Sequence, residues 1–599
     1  MKYNTKQLTD MANVVRAHAL SAIQSAGSGH IGIALGAADI VVALFANFIR
    51  IAKDKFVLSA GHGSALLYSV LSLAGYKLPS LNTFRKLGGL PGHPEYGLDG
   101  VSATTGPLGQ GVGNAVGMAL AAKLRKSDSH TFCLCSDGDL MEGVAQESIA
   151  FAGRYQLNNL VLLWDNNGLS IDGTALTDLN MNERMKAAGW QVFNADGNDF
   201  KSLNAAVEKA LKSKKPAFVN CKTVLGLGSG LAGKAKAHGF ALKKAELMKL
   251  IARFSCCGAG ADLWRDFARN TEKLRNKNES QNTDFKPENV DFEYPDSNFS
   301  TRELSGIYLN QLLKAGVGLI GGSADLSEST NVKTDSSVLI KPKDFSGNFI
   351  NYGVREHAMG AIMNGMAYVG LRPYGSTFLA FSDYLRPAIR LAALSEIPVI
   401  YVFSHDSVAV GEDGPTHQPI EQLASLRLIP NLNVFRPCNM EEVAFSWDKA
   451  VLDKDSPTCI VLSRQKIKQI RTPHGADISK GAYVIKPATS VCRVTLIATG
   501  SEVPLAISVA EKLGGKVQVV SMPSVADFRR QDDKYKKSIL QGFVVVIEAG
   551  ASASWFEFAD AVIGIDSFGT SGGGEEVYKY FGFDADKIAR DIAKKVKNV

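Results

Sequence analysis

The sequence has no block of five like charges, no CxxC pair and no uncharged apolar run of membrane length. Each absence excludes a class of function. With no charge block there is no tail for nucleic acid or an anionic membrane surface. With no CxxC and no histidine at zinc-ligand spacing, the eight cysteines, including Cys133-x-Cys135 and Cys256-Cys257, read as free thiols. They are expected mostly as core fillers in a reducing compartment. The longest apolar stretch, Ile31 to Ile49, carries Asp39 and is expected as a buried helix. The opening residues, MKYNTKQLTD, lack the apolar core of a secretory signal. The expectation is a cytoplasmic, multidomain chain that binds neither nucleic acid nor membrane.

What is present fits that frame. A chain of 599 residues is too long for one hydrophobic core. Its 66 basic and 59 acidic residues give a net charge of +7, spread over the whole length. Apolar runs of strand length recur at 130–135, 160–163, 217–221, 317–320, 398–403, 458–462, 494–498, 517–521 and 543–548. Helical patterns lie between them, at 112–125, 357–369 and 503–513 among others. This alternation predicts α/β domains with mostly parallel sheets. The text turns polar between Cys256 and Thr301, and a second seam lies near Arg471–Pro487. Three α/β domains are therefore expected, at 1–255, 301–475 and 485–599, with a linker at 256–300.

Seven of the ten histidines sit in glycine-rich or polar turns: His30, His62, His93, His238, His357, His405 and His417. One turn histidine means little, but seven suggest a site where imidazoles exchange protons with several hydroxyls near neutral pH. Sugars are the obvious substrate for such a site. The run Thr104-Thr105-Gly106-Pro107-Leu108-Gly109-Gln110-Gly111 precedes a predicted helix and makes an anion cradle. It does not follow the dinucleotide register, because Asn114 stands where a third glycine would be needed. A sharper motif follows. Ser136-Asp137-Gly138 ends one predicted strand, and Asp165-Asn166-Asn167-Gly168-Leu169 ends the next, about thirty residues on. A carboxylate and an amide at neighbouring strand ends supply hard oxygen ligands to magnesium or calcium, which in turn clamps a diphosphate.

With these residues in view, the chain resembles the transketolases, enzymes that use thiamine diphosphate. The resemblance is carried by GSGHIG, SAGHGSALLYS, GLPGHPEY, TTGPLGQG, SDGDLMEG, STRELS, GGSADLS, GVREHAMGAIMNG, HDSVAVGEDGPTHQP, LSRQ and ATGSEV, in the family's order from about residue 27 to 503. It implies a diphosphate-binding, a pyrimidine-binding and a C-terminal domain. It also implies a homodimer with the cofactor at the subunit interface, and reversible transfer of a two-carbon ketol unit from a ketose phosphate to an aldose phosphate in the pentose phosphate pathway. The relatives dihydroxyacetone synthase and 1-deoxyxylulose-5-phosphate synthase, or a catalytically silent relative, are the alternatives.

By the same resemblance Asp137, Asn167 and the carbonyl of Leu169 would bind magnesium, calcium or another divalent cation. His62, Gly106, Leu108, Gly138 and His238 would touch thiamine diphosphate, with Asp325 near its thiazolium ring. Glu356 would serve the aminopyrimidine, with Glu142 and Glu147 as coupled carboxylates, and Phe378, Phe381 and Tyr384 would wall that ring. His30 and His238 would serve the reacting hydroxyl, while His93 and His417 would hold the substrate. Asp413 would read the acceptor's C2 hydroxyl as a buried carboxylate. Arg302, Ser329, His405 and Arg464 would grip the sugar phosphate, a task suited to the guanidinium fork. The chain departs from the family pattern at Ile31, at Ser136, in the segment 230–238, which lacks a second histidine, and in a short linker.

Overall fold

The computed structural model describes residues 2–239, 242–256, 258–275, 290 and 297–596, and it divides into two compact units. The first unit comprises residues 1–282 with 341–346 and 361–370. Its sheet has five strands, β1 (Lys55–Leu58), β2 (Thr131–Ser136), β3 (Leu160–Asn166), β4 (Gln191–Asp196) and β5 (Ala217–Lys222). They lie in the order β1-β2-β3-β5-β4, and every pair is parallel. β2 is buried along its whole length, as a strand covered on both faces must be. Ser136 pairs with Asp165 in register, so the Asp137 turn and the Asn167 turn emerge side by side at the carboxyl ends of β2 and β3. That edge is where open parallel sheets bind ligands.

The stretch 31–49 is buried as expected but is not one helix. It breaks into Ile31–Gly36, Ala38–Ala43 and a π-helical turn Leu44–Phe48. The break falls where Gly36 meets residue 224: a Cβ on Gly36 would lie 2.7 Å from the Val224 carbonyl oxygen. Asp39 is neutralised there by Arg16 at 2.6 Å and accepts from Asn198 at 3.0 Å. Of the segment expected as a linker, Gly258–Arg275 is a helix whose Trp264 donates to the Met11 carbonyl at 3.1 Å. Residues 276–289 and 291–296 of that segment lie outside the described residues.

The second unit comprises residues 283–340, 347–360 and 371–599 and holds two sheets. One contains β6 (Leu319–Ser323), β7 (Phe349–Asn351), β8 (Arg372–Phe378), β9 (Ile400–Ser404), β10 (Asn433–Phe435) and β11 (Thr458–Val461). Its order is β10-β11-β9-β8-β6-β7, all parallel. The other contains β12 (Tyr483–Lys486), β13 (Val494–Ala498), β14 (Val517–Ser521), β15 (Phe543–Ile547) and β16 (Ala561–Ile563). Its order is β12-β14-β13-β15-β16, parallel except for the antiparallel edge strand β12. The string STRELS is a helix start. Ser300 caps helix Thr301–Lys314 and Glu303 closes the reciprocal bond, which leaves Arg302 on its first turn. Buried polar groups join the two layers: Arg427 binds Glu548 through both guanidinium nitrogens at 2.8 and 2.9 Å. Such pairs gain little net energy but penalise wrong docking.

Among the described residues no helix is long and apolar enough to cross a membrane. Cys133, Cys135, Cys221, Cys438 and Cys459 are buried free thiols, and Cys256 is exposed.

Candidate active site

Two clusters of side chains gather the expected residues, one in each unit. In the first unit a cavity of about 220 Å³ opens at the carboxyl ends of β2 and β3. His62, Leu108, Asp137, Gly138, Asn167, Leu169 and His238 all line it. Asp137 is 2% exposed. Its Oδ2 accepts from the Gly168 N–H at 3.2 Å, while its Oδ1 has no partner. Burial first, and then the nearby Asp165 carboxylate, push Asp137 up to about 7. A buried carboxylate with a free oxygen calls for a cation. Among the described residues no three His, Cys, Asp or Glu side chains converge on a metal. An ion here would therefore depend on one carboxylate, an amide oxygen and a backbone carbonyl, the hard-oxygen set that magnesium or calcium accepts. The residues present fit a divalent cation and a diphosphate.

Backbone surrounds that cavity at close range. A Cβ on Gly138 would stand 2.7 Å from Leu108 Cδ1, and one on Gly61 would stand 2.6 Å from the Gly106 nitrogen. Gly106 itself has φ 145° and packs against the His93 ring. The loop is pinned by Asp139, which accepts from the Gly109 N–H at 2.7 Å and from Ser59 Oγ at 2.6 Å. Ser136, where the family pattern has glycine, caps the helix Asp137–Met141 and bonds Asp139. Glu142 is exposed at the start of helix Gly143–Tyr155.

Four histidines from separate parts of the sequence meet beside the cavity. The His30 ring lies 5.3 Å from His62, 5.6 Å from His238 and 6.2 Å from His93. His62 stacks on His238 at 5.0 Å. Burial holds His62 down to about 3 and His30 to about 4, with the neighbouring imidazoles adding to the shift. Burial also lowers His93 and His238. All four are neutral at pH 7, so each can donate one hydrogen bond and accept another. Sequence reasoning missed Arg85. Its guanidinium stands 3.4 Å from His30 Nδ1, its Nε is buried without a partner, and its φ is 58°. Its left-handed backbone and its contact with His30, fifty-five residues away in sequence, are both invisible in a local pattern.

In the second unit Glu356 opens the helix Glu356–Tyr368, with only 8% exposure, and accepts from Thr377 Oγ1 at 3.3 Å. Burial raises its pKa. His357 lies on that helix, within the helical pattern expected at 357–369. Phe378, Phe381 and Tyr384 come from the end of β8, a short turn and the following helix. They form a continuous strip, with ring centroids 5.9 and 6.2 Å apart. Two histidines flank it: His405 stacks on Phe378 at 3.7 Å, and His417 stands edge-on to Phe381 at 5.1 Å. His405 has φ 62° and is held down to about 3 by burial and then by Arg302 and Arg464. Arg302 donates to the Ser329 carbonyl at 2.5 Å. Arg302, Ser329, His405 and Arg464 thus share one neighbourhood. Asp325, with φ 68°, and Asp413 are exposed on this chain, the latter contrary to the buried carboxylate expected.

The comparisons with known proteins agree with one another. The family model for the transketolase thiamine diphosphate binding domain matches residues 7–297, that for the pyrimidine binding domain 297–469, and that for the transketolase-like C-terminal domain 481–584. The chain is 40% identical to the transketolase of Aquifex aeolicus (strain VF5), over 97% of its own length and 94% of that protein's. It is 40% identical to the transketolase of Bacillus subtilis (strain 168), over 96% and 98%. Among solved structures, transketolase from Campylobacter jejuni superposes with TM-score 0.87 at 38% identity, covering 99% of this chain and all of that one. Pichia stipitis transketolase in complex with sedoheptulose 7-phosphate gives 0.87 at 35% identity, covering 98% and 97%. Fold, motifs and near full-length similarity coincide, and the chain belongs to the transketolase family.

Proposed function

We propose that the two clusters are half-sites of one catalytic centre, completed when two copies of the chain assemble as a homodimer. As a member of its family the chain is a transferase that uses thiamine diphosphate and a divalent cation to move a two-carbon ketol unit from a ketose to an aldose. When bound, the cofactor supplies the electron sink for breaking and remaking a carbon–carbon bond.

The protein's share is orientation and proton handling. Asp137, Asn167 and the Leu169 carbonyl hold the cation, and His62, Gly106, Gly138 and His238 hold the diphosphate beside Leu108. Glu356, whose pKa burial raises, holds a proton at the aminopyrimidine, which Phe378, Phe381 and Tyr384 wall in. His30 and His238 take and return the proton of the reacting hydroxyl, because neutral imidazoles can do both. His93 and His417 orient the substrate hydroxyls, and Arg302, Ser329, His405 and Arg464 grip the phosphate. The substrate class follows the relatives, since Pichia stipitis transketolase has been solved with sedoheptulose 7-phosphate, and a variant of it with fructose 6-phosphate. Xylulose 5-phosphate as donor, and ribose 5-phosphate or erythrose 4-phosphate as acceptor, place the enzyme in the cytoplasmic pentose phosphate pathway.

One observation carries this reading. Residues expected separately as cation ligands and diphosphate contacts line a single cavity, in which a buried carboxylate oxygen lacks a partner. A coupled assay with xylulose 5-phosphate and ribose 5-phosphate tests it. Turnover should require both thiamine diphosphate and a divalent cation, and should travel with the dimer on sizing. Turnover without either, or by a monomer, overturns the arrangement.

A further inference from the structure

The segment from Ser404 to Gln418 carries His405, Asp413 and His417, and the residues that fasten it come largely from beyond residue 499. His405 has φ 62°, a conformation that costs energy in a residue other than glycine and persists only where the surroundings hold it. Its neighbour Asp406 is gripped by Arg436, through Nε at 3.0 Å and Nη2 at 2.8 Å. Arg436 is 1% exposed and is itself fixed on Thr499 Oγ1 at 2.8 Å and on the Glu502 carboxylate. Farther along, Gln418 donates to the carbonyls of Gly411 at 3.0 Å and Thr570 at 2.9 Å. Gly574 packs so closely on the segment that a Cβ there would stand 2.7 Å from the Ala409 carbonyl oxygen.

Tyr578, on the helix Gly574–Tyr580, is where these links converge. Its hydroxyl donates to Glu502 Oε1 at 2.7 Å. It lies 3.0 Å from Ser407 Oγ, two residues after His405. It also accepts from Gln465 Nε2 at 3.3 Å, one residue after Arg464. A phenol has one proton to give and two lone pairs to offer. Here all three are used, with Ser407 as the remaining donor. A hydroxyl serving only to glue two layers together would need one partner. This one ties together two segments that are remote in sequence, each beside an expected phosphate contact.

We propose that Tyr578 is a positioning residue for substrate phosphate, its hydroxyl fixing the spacing between His405 and Arg464 so that the C-terminal layer tunes recognition of phosphorylated sugars. The inference rests on the reading of His405 and Arg464 as phosphate contacts.

The test is Tyr578→Phe in the full-length holoenzyme, with D-xylulose 5-phosphate and D-xylulose compared as donors at saturating acceptor. The KM for the phosphorylated donor should rise roughly tenfold, as expected when one charge-assisted contact is loosened. Its kcat should stay within about twofold, and kcat/KM for D-xylulose should not change. Equal loss on both donors, or no loss on either, overturns the proposal. Arg464→Gln is run alongside to test the underlying reading. If it fails to weaken the phosphorylated donor more than the plain one, the phosphate assignment has failed. If it succeeds and Tyr578→Phe does not, the positioning role has failed. Should Tyr578→Phe not fold, Ser407→Ala and Gln465→Leu cut the same links from the other side. Each should then give a smaller loss confined to the phosphorylated donor, and absence of that loss overturns the proposal.

Discussion

Around Asp137 the chain presents mostly backbone. Gly61, Gly106, Gly109 and Gly138 bring main chain to within contact of its neighbours, and the buried Asp137 carboxylate faces a 220 Å³ cavity. Around His405 it presents side chains, with stacked rings at 3.7 and 5.9 Å and two arginines near one imidazole. Both regions are suited to anionic ligands, but their materials differ. On the proposed reading the first region takes its positive charge from a bound ion, whereas the second carries Arg302 and Arg464 in its own chain. Failures of the first half should therefore show as lost loading, and failures of the second as lost rate or selectivity.

The largest effect is expected in the second half, at Glu356. Its carboxyl is buried, raised in pKa and bonded by Thr377. Glu356→Gln keeps the shape but cannot exchange a proton, and general acid–base help of this kind is commonly worth about 10²–10⁴-fold in rate. Turnover should fall by that factor while the cofactor still binds. Hydrogen–deuterium exchange at the thiazolium C2 reads the affected step, and unchanged exchange would point to a different carboxylate.

Asp137→Asn should break the first half instead. A ligand present at about a hundred times its dissociation constant stabilises the folded state by roughly 2.7 kcal/mol. The parent should melt at a higher temperature with thiamine diphosphate and magnesium than without. The variant should melt as the parent does without them, and should not respond to their addition. A full response in the variant would move the cation to another ligand.

The histidines allow a smaller test that compares the two halves directly. His62 in the first half and His405 in the second are both held to about 3, chiefly by burial, against an ordinary value of 6.5. An imidazole that titrates lower in the folded chain binds protons preferentially when unfolded. Its contribution is intact above pH 6.5 and is lost as pH falls toward the folded value. The melting temperature should therefore drop across that window. His405→Asn, which tolerates the left-handed backbone, should make the slope shallower. An unchanged slope would mean that His405 does not titrate lower in the fold than out of it.

How much of this was legible depends on where the information lies. The side-by-side placement of Asp137 and Asn167 could be read because they close adjacent strands, and their spacing in sequence maps directly onto the Ser136–Asp165 register. The start of helix Thr301–Lys314 is likewise local, a capping box written as Ser300 and Glu303. What could not be read is non-local. The break in 31–49 falls where Gly36 meets the Val224 carbonyl, and Arg85 reaches His30 from fifty-five residues away. The histidines were conspicuous as a group, yet the convergence of His62, His93 and His238 on His30 required the tertiary fold. The aromatic strip had helical spacing by accident, since its three rings belong to a strand end, a turn and a helix.

Asp413 is where the second half departs most from expectation, and it gives the smallest predicted effect. A buried carboxylate that bonds a hydroxyl can reject the analogue lacking it by about 10⁴–10⁵-fold, because its own polar group is left unpaired. On this chain Asp413 is exposed, in a turn between Gly411 and Gly414, both with positive φ. Water can then replace the missing hydroxyl, and the penalty shrinks to that of one exchanged hydrogen bond, about 1 kcal/mol, or five- to tenfold. The expectation for Asp413→Ala is a several-fold loss of kcat/KM with ribose 5-phosphate and almost none with 2-deoxyribose 5-phosphate. The ratio between the two acceptors should fall by less than about tenfold. A collapse of several thousandfold would mean that the assembled dimer buries this carboxylate. Parallel losses on both acceptors, with the ratio intact, would make Asp413 a turn residue and leave the hydroxyl to be read elsewhere.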